Sequence, residues 1–258
     1  MSQKLDSKEY LEKKKYFENI ITIYGRKPVL EAFEKNNISI DKLHLAKTNK
    51  QDKTLDLIIK LAKQQNTEIT FHSKSELSRI SKNGKQDQGI AADIYCQFLN
   101  NIESLDPSKE KYLLALDQIT NPQNIGMIIR SVTAGNLDGI ILPKDGTSPI
   151  NSLVIKSSAG TVFKAKIFQC KNLLNHTNDL TKKGYQLATL TTSANQNLLT
   201  SEINHPTIFI LGNESKGVSQ KLQDSCQQEF FIPMQNDVES LNVAVTAGII
   251  SYLPSLRK

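Results

Sequence analysis

Residues 121–136 read NPQNIGMIIRSVTAGN and lie between two apolar runs, YLLALD (112–117) and GIIL (139–142). Asn121–Pro122 makes a turn, and a proline is tolerated at the first helical position because its missing N–H has no partner there. Ile125, Ile128, Ile129 and Val132 then recur at helical spacing, so the segment is a helix with one stripe to bury. Asn124 is placed to cap its N-terminus, and Gly135 to end it. Gly126 and Arg130, four residues apart, share a different face of the same helix. Strand, helix, strand in this order calls for parallel pairing with the sheet face covered.

The alternation continues on the C-terminal side. A short helix near 151–159, which runs into SSAG (157–160), is followed by AKIF (165–168), a helix over 171–182 and YQLATL (185–190). TIFIL (207–211), a helix near 216–224, EFFI (229–232) and a helix over 241–253 with Ser240 as its N-cap complete the pattern. The fold class is therefore α/β, a parallel sheet over 111–258. A smaller α/β unit precedes it over 21–98, with a helix opening at Pro28, a strand LHLA (43–46) and an amphipathic helix over 54–65. EITFH (68–72), a short helix SKSELSRIS and GIAADIYCQF (89–98) close that unit. The polar stretch 99–110, with Pro107, reads as the linker. Residues 1–20 mix lysines with Asp6, Glu9, Glu12 and Glu18, which fits a charged helical extension and neither a secretory signal nor a transit peptide.

The chain has 258 residues and a formal charge of +6. Residues 1–100 carry 18 Lys and Arg against 13 Asp and Glu, whereas residues 101–258 are nearly balanced. A basic first unit fits a polyanionic partner, although solvated surface lysines would give the same surplus. Arginines are few (26, 79, 130 and 257), so one inside a motif stands out. Cys96, Cys170 and Cys226 are far apart and odd in number, which fits packing thiols in a reducing compartment, the cytoplasm. The four histidines have no metal-ligand spacing, so no metal is expected. No apolar run approaches the ~18 residues of a membrane span.

Two further loops follow strand-like runs. LGNESKGVS (211–219) has a G-x-x-x-x-G spacing, but Val218–Ser219 stands where a phosphate loop needs Lys–Ser/Thr. No G-x-G-x-x-G occurs anywhere, which excludes the usual dinucleotide turn. Glu214, just past a strand end, either faces a ligand crevice or caps the next helix. IPMQNDVESLNVAVTAGI (232–249) ends a strand at Pro233 and enters a helix with small residues at Ala244, Ala247 and Gly248.

Taken in order, these three segments resemble the signature motifs of the SpoU family of RNA ribose 2'-O-methyltransferases, within the SPOUT superfamily. IYGRKPVLEAF and QGIAADIY resemble the ends of the RNA-binding domain that precedes the catalytic one in many members. The resemblance implies a ribosomal-protein-like first domain, a trefoil-knotted catalytic domain, S-adenosylmethionine as cofactor and a homodimer through the catalytic domain. It places the catalytic set at Arg130, Asn124, Glu214, Ser240 and Asn242. Cofactor contacts fall at Leu190, Thr191, Leu211, Gly212, Asn213 and Gly217, and at Ile232, Pro233, Met234, Leu241, Asn242 and Ala244. Ser215 and Thr246 depart from the usual Gly and Ala. The implied substrate is a ribose in structured RNA, first a guanosine of large-subunit (23S) rRNA. The alternatives are tRNA, methylation of a base by the same fold, or a non-catalytic RNA-binding protein with a degenerate cofactor pocket.

Overall fold

A computed structural model of the chain describes residues 20–35, 38–95, 99–253 and 256. The extension expected over 1–20 lies outside these residues except for Ile20, as do Cys96 and Arg257. The chain divides into two compact units between Phe98 and Leu99.

The first unit is a four-stranded sheet in the order β1-β4-β2-β3. Its strands are β1 (Ile20–Tyr24), β2 (Ile40–Ala46), β3 (Glu68–His72) and β4 (Ile90–Tyr95). Helix α1 (Arg26–Phe33) and helix α2 (Lys53–Gln64) pack on each other. Asp52 opens α2 by accepting a hydrogen bond from Leu55 N at 2.8 Å. Helix α3 (Lys74–Ser81) starts with a reciprocal capping box between Ser73 and Glu76 and buries Leu77 against Tyr24, Ala46 and Ala91. On that same sheet face Thr22, His44, Thr70, His72 and Asp93 share one hydrogen-bond cluster. Burial works to raise the Asp93 carboxyl, but hydrogen bonds from His44 and Thr22 outweigh it and hold it below the usual range.

The second unit is one eight-stranded sheet, ordered β10-β12-β9-β11-β6-β7-β8-β5, in which every pairing is parallel. Its strands in chain order are β5 (Leu99–Asn101), β6 (Tyr112–Leu116), β7 (Gly139–Pro143) and β8 (Ile167–Cys170), then β9 (Gln186–Leu190), β10 (Gln196–Asn197), β11 (Thr207–Leu211) and β12 (Gln228–Phe231). Every residue of β6, β7 and β11 is buried, as expected for strands covered on both faces. The helices are α4 (Pro122–Ala134), α5 (Ser152–Ser157), α6 (Thr177–Lys182), α7 (Gln220–Gln223) and α8 (Val243–Ser251). No helix among the described residues is long and apolar enough to cross a membrane.

Four expectations are corrected. The stretch 99–110, expected to be a linker, belongs to the second unit: β5 pairs with β8, and Ile102 and Leu105 are buried in a cluster with Phe168, Leu173 and Leu180. Two apolar anchors in a polar stretch suffice because the edge strand is held by its backbone. The cap of α4 is Asn121, whose Oδ1 accepts from Gln123 N at 2.9 Å, and this leaves Asn124 inside the first turn. The cap of α8 is Asn242, accepting from Ala244 N at 2.8 Å, so the helix begins at Val243 and Ser240 stays in the loop. The helix expected over 171–182 is a 3-10 turn at 174–176 followed by the short α6.

Candidate active site

Strands β9, β11 and β12 are neighbours, and their carboxyl ends open into a cleft of about 200 Å³. A parallel sheet binds its ligands there, beyond the carboxyl ends of its strands. Leu190 ends β9 and Thr191 follows it, Leu211 ends β11 and Gly212 to Glu214 follow it, and Ile232 and Met234 follow β12. Ser240, Leu241, Val243 and Thr246 close the cleft from the entry of α8.

The loop after β11 is folded on itself. A side chain at Gly212 would overlap the Gly217 carbonyl and the Val218 amide, and Gly217 adopts a left-handed φ of 67°. Asn213 Oδ1 accepts from Ser215 N at 3.0 Å, and Gly217 N donates to the Asn213 carbonyl at 2.8 Å. Both ends of this loop are tied to the turn after β6. Ser219 N donates to Asp117 Oδ2 at 2.7 Å, Asn213 Nδ2 donates to the Gln118 carbonyl at 3.2 Å, and Asp117 N donates to the Leu211 carbonyl at 2.8 Å. Asp117 was not among the sequence candidates; a carboxylate closing the run LLALD was its only signal.

A second layer of polar groups joins the three motifs. Asn124 is buried at 6% exposure because the early start of α4 turns it inward. Its Nδ2 donates to Glu214 Oε1, and its Oδ1 accepts from Asn242 Nδ2 at 3.3 Å. One amide thus satisfies a carboxylate from the loop after β11 and the cap of α8. Close packing holds α4 in place: a Cβ at Gly126 would lie 2.6 Å from the Val154 carbonyl on α5. At the other end of α4, Asn136 N donates to the Ser251 carbonyl of α8 at 2.6 Å.

Of the sequence-derived cofactor set, Leu190, Thr191, Leu211, Gly212, Asn213, Gly217, Ile232, Met234 and Leu241 line the cleft, with Glu214 and Ser240 from the catalytic set. Pro233, Asn242 and Ala244 do not line it, although Asn242 stands beside it through Asn124. Arg130 does not line the cleft either. Ile125, Ile128 and Ile129 take the buried side of α4, which leaves Arg130 exposed next to the exposed Met127.

The lining residues suit a cationic, partly apolar molecule. Among the described residues they include two carboxylates, Glu214 and Glu239, and no Lys or Arg, beside apolar surface from Leu190, Ile210, Phe231 and Ile232. That is the donor set expected around an adenosyl sulfonium, whose positive charge two acids attract and no cation repels. Glu239 also escaped the sequence reading, lying in a loop with no periodicity.

Comparison with known proteins agrees with this geometry. The SpoU rRNA Methylase family matches residues 111–252, and a domain described as RNA 2'-O ribose methyltransferase substrate binding matches 22–95. An uncharacterized tRNA/rRNA methyltransferase of Mycoplasma pneumoniae is 32% identical over 238 residues, covering 89% of this chain and 95% of its own. The 23S rRNA (guanosine-2'-O-)-methyltransferase RlmB of Shewanella oneidensis is 30% identical over 207 residues, 79% of this chain and 84% of its own. Among solved structures, an AdoMet-bound rRNA methyltransferase from Sinorhizobium meliloti shares the fold with a TM-score of 0.77 at 21% identity, covering 93% of this chain and 88% of the other. The SpoU methyltransferase AviRb of Streptomyces viridochromogenes, solved with AdoMet, also superposes with a TM-score of 0.77, at 20% identity over 94% of this chain and 92% of its own. With both domains matched in the order that the motifs demand, the chain belongs to the SpoU rRNA Methylase family of S-adenosylmethionine-dependent RNA ribose 2'-O-methyltransferases.

Proposed function

We propose that this enzyme methylates the ribose of a guanosine in large-subunit (23S) rRNA. The observation that carries the choice is the RlmB relative named for that reaction, matched across both domains. Ribose-methylation mapping of rRNA and tRNA from cells with and without the gene tests it. A single 23S guanosine that loses its methyl group supports the assignment; a lost tRNA methylation with intact 23S rRNA replaces it with tRNA.

The cofactor supplies a methyl group already activated on a sulfonium. On its transfer to the ribose 2'-oxygen the carbon–sulfur electron pair would stay on sulfur, leaving a neutral thioether, and the hydroxyl proton would pass to solvent water. The protein must align oxygen, carbon and sulfur and ease the loss of that proton; alignment alone supplies up to roughly 7–11 kcal/mol. Asn124, Glu214, Ser240 and Asn242 orient the ribose. Arg130 brings a planar, two-pronged guanidinium, and its role is to clamp the adjacent phosphate and stabilise the developing alkoxide.

In this reading Arg130 is delivered to the cleft of a second copy. The exposed apolar residues Met127 on α4, Val245 in the first turn of α8 and Tyr252 just after its end support a homodimer through this surface. The reading includes the family's trefoil knot around the cofactor and a cytoplasmic setting, in keeping with free thiols at Cys170 and Cys226. Burial pushes those thiols up to about 11 and about 12, so both stay protonated and unreactive at neutral pH. Arg130→Lys keeps the charge and loses the two-pronged fork; its turnover is expected to fall at least tenfold across pH with unchanged cofactor affinity. Turnover near that of the native enzyme refutes the clamp.

A further inference from the structure

Charge in the first unit is concentrated at one end of its sheet. The carboxyl ends of β1, β2 and β3 and the amino end of β4 converge there, together with the starts of α1, α2 and α3. Arg26 and Lys27 open α1, Lys47, Lys50 and Lys53 lie between β2 and the first turn of α2, and Lys74 opens α3. Lys82 and Lys85 come from the loop that leads into β4. Against these eight cations stand four acids, Asp52, Asp56, Glu76 and Asp87, whereas the rest of the described unit is neutral.

Those acids are already engaged. Asp52 takes Leu55 N and the Arg26 guanidinium, Glu76 closes the α3 capping box, and the buried Asp87 accepts from Gly89 N at 2.9 Å and Ser81 Oγ at 3.1 Å. Asp56 accepts from Gln51 Nε2 at 2.9 Å. The lysines are exposed, and none of them forms a salt bridge among the described residues. Beside them is an aromatic ring without cover. Phe71 is the second-last residue of the edge strand β3 and is 60% exposed.

We infer that this end of the sheet is where the RNA docks, with the lysines holding backbone phosphates and Phe71 stacking on one unpaired base. The inference rests on the RNA-methylating function given above and names the surface that serves it. Uncompensated lysines attract a polyanion whatever its sequence, and their contribution is screened by salt. A bare aromatic ring gives a different kind of contact, one that needs an unstacked base and is insensitive to salt. The two therefore separate in one experiment.

Binding of an unmodified 23S rRNA transcript, and in parallel of bulk host tRNA, is measured against salt concentration with the full chain. The variant K27Q/K47Q/K50Q/K53Q/K82Q/K85Q is expected to weaken binding at least tenfold near physiological salt. Its slope of log K against log salt should flatten by about three or more, given roughly 0.7–0.9 per phosphate contact. The control K35Q/K60Q/K63Q, at the far ends of α1 and α2, should stay within twofold. Phe71→Ala should lose about tenfold with its slope unchanged. Unaltered S-adenosylmethionine binding in every variant confirms an intact second unit. Equal losses in patch and control variants, or native binding by the patch variant, overturn the surface while leaving the methyltransferase reading intact. Native binding by Phe71→Ala overturns the stacking role. A native chain that binds neither RNA defeats both readings.

Discussion

Gly212 shows how a single position sets the cofactor loop. Its missing side chain is what lets Leu211–Ser219 fold back on itself at the edge of the cleft. Gly212→Ala forces backbone to move and not merely a flexible side chain, so S-adenosylmethionine affinity should fall at least tenfold in calorimetry, in line with the 1–3 kcal/mol typical of overpacking. Asp117 is the complementary case. It touches no predicted ligand, yet its carboxylate holds Ser219 and so positions the loop. Asp117→Ala is expected to weaken cofactor binding about tenfold, and Asp117→Asn to restore most of it because the amide oxygen can still accept from Ser219. Failure of the Asn variant to rescue would mean that the charge, not the acceptor, matters. The sequence shows the glycine, since it lies within a recognisable motif. It does not show the carboxylate's task, because a side chain that accepts from a backbone amide 102 positions away leaves no periodic trace.

At the scale of elements, legibility followed burial. Strands β6, β7 and β11 are continuous apolar runs and could be read directly. Strands β5 and β10 are LNN and QN, edge pieces held by main-chain pairing, and no side-chain pattern announces them. Helix starts were misplaced by two or three residues at α4 and α8 because each entry holds more than one residue able to cap. The misplacement mattered, since it concealed that Asn124 and Asn242 bond each other across two helices. The polar cluster between β2, β3 and β4 carries a pH prediction. Burial, and then the proximity of His44, hold the His72 imidazole below its ordinary 6.5. The unfolded chain therefore binds that proton more readily, so the stability gained from a neutral His72 is complete above pH 6.5 and declines as the pH falls below it. Hydrogen exchange of the β2 and β3 amides should show protection decreasing from pH 7.5 to 5.5, and His72→Gln should flatten the trend; an unchanged trend in that variant would assign the effect elsewhere.

For the molecule as a whole, the two units divide the labour of recognition and chemistry. The described residues that line the cleft lie within 190–246, so a chain lacking 1–97 should bind S-adenosylmethionine with native affinity while losing methylation of the natural RNA. Full activity in that truncated protein would remove the first unit from target choice. The concentration of the cleft in the final quarter of the chain also bears on biosynthesis. The middle of the sheet, β6 and β7, leaves the ribosome well before β9, β11, β12 and α8 exist, and its flank stays raw until they arrive. A nascent or prematurely stopped chain that lacks these elements consequently has no pocket in which to hold the methyl donor.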